Sequence, residues 1–340
     1  MRAGIKAIEY HLPENILSNA DLAQLFPEWP VERIQQKTGI SLRHIAAPEE
    51  CSSDLAVAAA RKLFDSGVFT PAEIDFVLLC TQSPDYFLPT TACLVQERLG
   101  IPTTAGALDF NLGCSGFIYG LSLARGLVET GQAVNVLLLT AETYSKFIHP
   151  KDKSVRTLFG DAAAATLVSA FEDHTKALIG PFLFGTDGRG AGNLIVRTGG
   201  LRCPRTAESA VAAVDDSGNV RAADNLYMDG GEIFAFTLRT IPRTVEQLIA
   251  RSGVAKEAID LFVFHQANRY MLDHLRKTMK IPSEKFVMHL EDCGNTVSST
   301  IPIALNAAVK SGSLRTGSIA MLVGFGVGYS WGATLLEWRC

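Results

Sequence analysis

The chain repeats itself. Residues 112–131 read LGCSGFIYGLSLARGLVETG and residues 293–312 read CGNTVSSTIPIALNAAVKSG. In both, a turn of small residues opens an apolar helical run and a glycine closes it. The closing glycines, Gly131 and Gly312, stand 181 residues apart, and the same offset carries Cys114 onto Asn295. Two further pairs run in the same order. SGV followed by IDFVLLCTQ (74–82) matches SGV followed by IDLFVFHQ (259–266), and VQERLGIP (95–102) matches LRKTMKIP (275–282). Self-similarity over this many elements constrains the fold strongly, because like segments must bury like faces.

The repeated unit is α/β in kind. IDFVLLCT (74–81), GALDFNL (106–112), VNVLLLTAE (134–142) and AAAATLV (162–168) are short, apolar and read as strands. Helical runs such as SDLAVAAARKLFDSG (53–67), opened by a capping Ser or Asp, alternate with them. This alternation predicts mostly parallel, buried strands. The division expected is a half over residues 1–175 and a half over 176–340. Corresponding turns of the halves would then meet at one site. The region 185–225, with GTDGRGAGN and DDSGN, reads as the loop-rich segment.

Composition removes several function classes. Hydrophobic residues make up 47% and charged residues 19%, enough apolar material for a large core. A net charge of −4 argues against nucleic-acid binding. The seven cysteines show no C-x-x-C pair, so neither a zinc site nor a disulfide framework is expected, and reduced intracellular thiols are the simpler reading. The first residues carry no secretory pattern, and no apolar run reaches the ~18 residues of a membrane span. A cytoplasmic location is expected.

Four places carry chemistry. Cys114 lies in Gly113-Cys114-Ser115-Gly116, between a strand and an apolar helix, where helix N–H groups favour a thiolate; a small core residue is the competing reading. His265, in FHQAN, follows a strand-like run and so lies where α/β sites are built, unless it is a satisfied structural histidine. Asn295, in CGNTVSST after the strand-like FVMHL, either caps a turn or faces Cys114 through the duplication. GFGVGYSWG (324–332) either brings backbone N–H groups close to a ligand or closes a final hairpin.

The order GCSG, HQAN, GNT and a glycine-rich GFG-x-G-x-x-WG resembles the 3-oxoacyl-acyl-carrier-protein synthase III family of thiolase-like condensing enzymes. LPENILSNADL (12–22), TGISLRHIA (38–46) and FGDAA (159–163) are similar to it too. The resemblance implies a five-layered α-β-α-β-α fold from two duplicated halves, and a homodimer. It implies a catalytic Cys114, His265 and Asn295, with Gly326, Val327 and Gly328 as the oxyanion loop. The reaction implied is the decarboxylative condensation of an acyl-CoA with malonyl-acyl carrier protein or malonyl-CoA, by ping-pong kinetics and with no cofactor. Acyl carrier protein is the implied partner, with no nucleic acid and no membrane. Residues implied in CoA or carrier binding are Arg33, Lys37, Lys153, Gly231, Phe234 and Arg269; Leu88 and Phe159 are implied in the acyl pocket.

Some positions depart from the family pattern. Arg33 falls where the family has an aromatic residue against the CoA adenine, with Lys37 and Lys153 at neighbouring basic positions. Tyr270 takes the place of a docking arginine, with Arg269 one place earlier. Val327 interrupts the all-glycine loop, and Leu88 stands where short-chain members often carry Phe, which would admit a longer or branched acyl group. A thiolase would need a second cysteine in the glycine loop, and Cys293 and Cys340 lie outside it. Two alternatives to primary fatty-acid initiation stay open: a type III-like condensing enzyme or acyltransferase of specialised metabolism, and a non-catalytic partner subunit. Retention of all three triad residues speaks against the second.

Overall fold

The structure is a computed structural model that describes residues 1–172 and 178–339. Two sheets form its frame. In the first, the order is Arg2–His11, Ala162–Phe171, Asn135–Glu142, Phe76–Cys80, Gly106–Phe110. In the second, it is Ile179–Thr186, Ser330–Glu337, Ile319–Gly326, Leu261–Phe264. The four strands of the second correspond in order to the first four of the first, which is the duplication seen in the sequence. The expected boundary at 175/176 lies outside the described residues.

Two expectations need correction. The sheets are mixed rather than mostly parallel. Phe76–Cys80 runs parallel to both neighbours, as Leu261–Phe264 does to Ile319–Gly326, and every other pairing in the two sheets is antiparallel. FVMHL (286–290) forms no strand. A single parallel bridge joins Phe286 to Phe262, extended by a bond from the Val287 N–H to the Phe262 carbonyl. It occupies the place that Gly106–Phe110 fills in the other half. The segment's second half turns away to deliver Asn295, so the ladder stops after one rung.

Strand alternation explains the layers. Leu78, Val136 and Leu138 face inward, while Val77, Leu79, Leu137 and Leu139 face outward. The inner residues pack with helix Gly116–Glu129, helix Thr300–Lys310 and the inner face of the second sheet, including Val263 and Leu322. Helices Ser52–Asp65 and Thr91–Leu99 cover the outer face of the first sheet. Helices Gly230–Ser252 and Arg269–Thr278 cover the second. The result is α-β-α-β-α. The middle helices must be apolar on nearly all sides because both faces are buried. Gly116 and Gly120 permit the approach: a Cβ on Gly116 would lie 2.2 Å from Cys80 Sγ, and one on Gly120 2.5 Å from Leu138 Cδ1.

Candidate active site

The N-terminal end of helix Gly116–Glu129 opens onto a cavity of 410 Å³. Cys114 lines it together with His265, Asn295, Phe159, Phe325 and Gly326. The turn before the helix is tight because its neighbours are close. A Cβ on Gly113 would meet Gln82 Oε1 at 2.6 Å and Val327 Cγ1 at 2.7 Å. One on Gly326 would lie 3.0 Å from Cys114 Sγ, so the glycine loop reaches the thiol at van der Waals distance. That loop is also the connection of a hairpin, with Gly326 paired to Ser330. GFGVGYSWG thus closes a hairpin and also brings its backbone against Cys114.

Cys114 is 5% exposed. Burial pushes its thiol up to about 12, and the Glu142 carboxyl adds to this, while the backbone N–H groups of Cys114 and Val327 act in the opposite sense. The thiolate expected from the helix N-terminus is thus not the resting form. Desolvation outweighs the few N–H groups available.

His265 stands just beyond strand Leu261–Phe264, held by a bond from its N–H to the Val323 carbonyl (2.8 Å). Its ring meets Phe325 edge to face, with centroids 5.6 Å apart. Burial lowers its pKa to about 3, so the imidazole is neutral. Nδ1 lies 2.8 Å from Thr300 Oγ1, and the single hydroxyl hydrogen of Thr300 also reaches the Val297 carbonyl at 3.0 Å. Where that hydrogen goes sets the tautomer. When it goes to Nδ1, Nε2 carries the ring proton; when it goes to Val297, Nε2 is a base.

Asn295 is fixed from three sides. Its N–H donates to Leu158 O (2.9 Å), its carbonyl accepts from Gly160 N–H (3.0 Å), and its Oδ1 accepts from Val297 N–H (3.0 Å). With Oδ1 occupied, Nδ2 is the group left for the cavity. Gly294 makes the turn possible: its φ is +74°, and a Cβ there would lie 2.9 Å from Leu158 O.

The other expected residues divide. Lys37 and Phe159 line the cavity. Val327 lines a neighbouring cavity of 250 Å³ instead, with Tyr144, Phe147 and Leu226. Gly328 sits at the hairpin turn beside it, and a Cβ there would lie 3.0 Å from Ser330 N. Gly231 is exposed next to Gly230, which does line the main cavity. Phe234 stacks on Tyr270 with centroids 5.5 Å apart, and Arg269 pairs with Glu291 at 3.4 Å. Lys153 pairs with Glu28 at 2.8 Å, and Leu88 is 86% exposed. None of Arg33, Lys153, Gly231, Phe234, Arg269 and Leu88 lines the cavity.

At the rim, Trp29 lines the cavity, with Lys37 Nζ 4.7 Å and the Arg33 guanidinium 5.3 Å from its ring centroid. The signal was present as Trp-Pro just before helix Val31–Thr38. The region 185–225 is also more than a loop. Its short strand Leu194–Val196 pairs with Leu226–Met228, and Leu194 and Met228 both line the main cavity.

Among the described residues no cluster of His, Cys, Asp and Glu could hold a metal ion, and no helix is long and apolar enough to cross a membrane. Five layers built from two like halves define the chain as a thiolase-like, acyl-transferring condensing enzyme. Comparison narrows the class. The family model for the 3-oxoacyl-acyl-carrier-protein synthase III domain matches residues 108–188, and that for its C-terminal domain matches 249–338. The β-ketoacyl-acyl-carrier-protein synthase III of Caldanaerobacter subterraneus is 36% identical over 339 residues, covering 99% of this chain and 98% of its own. A crystal structure of a 3-oxoacyl-acyl-carrier-protein synthase III superposes with a TM-score of 0.98 at 60% identity, covering 99% of this chain and 100% of the other. That of β-ketoacyl-acyl-carrier-protein synthase III from Thermus thermophilus gives 0.85 at 36%, covering 98% and 99%. The chain belongs to the 3-oxoacyl-acyl-carrier-protein synthase III family.

Proposed function

We propose that the protein joins an acyl-CoA to a malonyl thioester, on acyl carrier protein or CoA, to give a 3-oxoacyl thioester through an acyl-Cys114 intermediate. The observation that carries this reading is the meeting of a thiol, a neutral imidazole and a free amide donor around one cavity. The Cys114 sulfur attacks the donor carbonyl, and the thiol proton leaves with the departing CoA by way of the His265 Nε2. One thioester replaces another, so the exchange is nearly balanced. The malonyl thioester next loses CO₂. Its enolate oxygen takes hydrogen bonds from Asn295 Nδ2 and from Nε2–H of His265, in the tautomer where Thr300 donates to Nδ1. The enolate carbon then attacks the acyl carbonyl, whose oxyanion is met by the N–H groups of Cys114 and Val327. Cys114 departs as the thiolate and takes up one proton from water to return to the thiol, the proton that the loss of CO₂ from a carboxylate consumes.

The remaining features of the reading follow the same chemistry. The first half, residues 1–175, supplies the nucleophile and the second, 176–340, the donors. Trp29 and Lys37 receive the CoA end of the donor. No cofactor is needed, because both substrates arrive as activated thioesters. The protein works in the cytoplasm as a homodimer with acyl carrier protein as partner, without nucleic acid or membrane. Exposed Tyr86, Phe87 and Leu88, at 62, 82 and 86%, support the dimer.

A second reading of the pathway has an observation of its own. The 250 Å³ cavity beside Val327 has a polar end, where Tyr144 donates to Gln82 Oε1 (2.9 Å) and Gln82 to Asn111 Oδ1 (3.2 Å). Such a cavity favours a longer or oxygen-bearing acyl group over acetyl, and with it a place in specialised metabolism. One experiment serves both readings: intact-protein mass after incubation with acyl-CoAs of graded length and oxygenation, beside Cys114→Ala. An adduct on wild type alone supports the nucleophile, and the best donor separates the pathways. Adducts on both proteins, or on neither with CoA and carrier donors alike, would remove the reading.

A further inference from the structure

Glu142 closes strand Asn135–Glu142 and is fully buried, yet it makes no ion pair among the described residues. It is satisfied by three neutral donors from two segments. Oε2 accepts from the Gln82 N–H (3.0 Å) and the Ser83 hydroxyl (3.2 Å), and Oε1 accepts from the Ser298 hydroxyl (3.0 Å). The first two lie in the segment whose Gln82 side chain abuts Gly113, next to the nucleophile. The third lies in the segment that orients both oxyanion donors.

That segment is under constraint. Val297 has φ of +55°, a left-handed conformation that a β-branched residue adopts only when its surroundings impose it. Asn295 Oδ1 holds its N–H, and Thr300, three residues on, holds His265. Between them, Ser298 and Ser299 reach across to the first half. Ser298 meets Glu142, and Ser299 Oγ lies 2.8 Å from Thr140 Oγ1. These are the ties that fix the donors of one half against the thiol of the other.

We propose that Glu142 is a positioning residue for the condensation step, tying the Asn295–Thr300 segment in register with Cys114 through Ser298, Gln82 and Ser83. The inference rests on the roles given above to Cys114, His265 and Asn295. Burial raises the Glu142 carboxyl to about 8, so at neutral pH the tie is uncharged and the acid's own proton lies in one of these bonds, the serine hydroxyl there accepting it. The titratable groups that face it are Cys114, Cys80, Tyr144 and Asp161. Ionisation of Glu142 would therefore oppose the Cys114 thiolate, whereas a glutamine would keep the shape of the neutral acid and remove the charge.

The test compares Glu142→Ala, Glu142→Gln and Ser298→Ala with wild type in three assays: acylation of Cys114 by mass, condensation on pre-acylated enzyme, and Cys114 alkylation by iodoacetamide from pH 6 to 10. Glu142→Ala and Ser298→Ala should lose about tenfold or more in condensation, as expected for a lost buried hydrogen bond, with acylation within about threefold. Glu142→Gln should restore condensation. Above pH 8 it should also alkylate faster than wild type, by about tenfold for each unit its thiol falls. Equal loss of both half-reactions in the alanine variants, or superposable alkylation profiles for wild type and Glu142→Gln, would overturn the proposal. The alkylation arm needs no substrate, so it judges Glu142 even if the reaction itself proves different.

Discussion

A histidine without charge is the more useful residue here. His265 is fully buried and its pKa lies near 3, so it crosses the physiological range as a neutral ring whose tautomer, not its charge, sets its role. The condensation rate should therefore show no inflection near the ordinary histidine value of 6.5, measured as kcat against pH on pre-acylated enzyme. For stability, a histidine pKa depressed in the folded state gives stability that is present above 6.5 and lost as pH falls towards 3. Urea midpoints taken across that window should fall with pH, and His265→Asn should flatten the fall. Trp29 makes a separate prediction at this scale. Removing its face by Trp29→Ala should raise KM for acyl-CoA about tenfold with little change in kcat, since a base stacked on an aromatic ring contributes about 1–3 kcal/mol. Legibility at this scale was uneven. That Cys114, His265 and Asn295 meet at one cavity could be read because each sits in a short run of fixed order, GCSG, HQAN or GNT. Trp29 stood out only as Trp-Pro ahead of a helix, and whether a rim residue meets a cavity depends on how that helix docks. Glu142 is the last residue of the run VNVLLLTAE, and its burial is set by segments far away in sequence.

At the scale of elements, the middle helix and the glycine hairpin depend on each other. A Cβ on Gly324, in strand Ile319–Gly326, would lie 2.7 Å from Cys114 O and 2.8 Å from Ser115 Cα. Both atoms belong to backbone and cannot swing aside. Gly324→Ala should therefore cost about 1–3 kcal/mol of stability, as overpacking does, seen as a lower melting temperature, and should slow acylation of Cys114 by displacing the turn. Strand and helix identities were readable because the strand runs are short and β-rich while the helical runs are longer and opened by capping residues. Helix 53–67 appears as Ser52–Asp65, and the strand within 134–142 as Asn135–Glu142. FVMHL was not readable. Its apolar content suits a strand, but pairing past Phe286 would pull Asn295 away from the cavity, and tertiary demand wins over local preference.

For the whole molecule, duplication was the most legible property and strand direction the least. Two like halves sharing one middle layer explain why both central helices are apolar nearly all round. Nothing in an apolar run tells which way it lies beside its neighbour, so the antiparallel outer strands appear only in three dimensions. The exposed Tyr86–Leu88 loop gives the prediction at this scale: Phe87→Asp should convert the proposed dimer to a monomer in light scattering and lower activity with it. An unchanged mass would separate this loop from assembly. The sheet order bears on how the chain is made. Arg2–His11 has no partner strand until Ala162–Phe171 exists, and Ile179–Thr186 waits in the same way for Ser330–Glu337. During synthesis each sheet therefore holds an unpaired edge for some 150 residues of translation, at about 5–20 residues per second. A ribosome that stalls anywhere between those partners leaves an open strand to aggregate, and the nascent chain must be shielded for that interval.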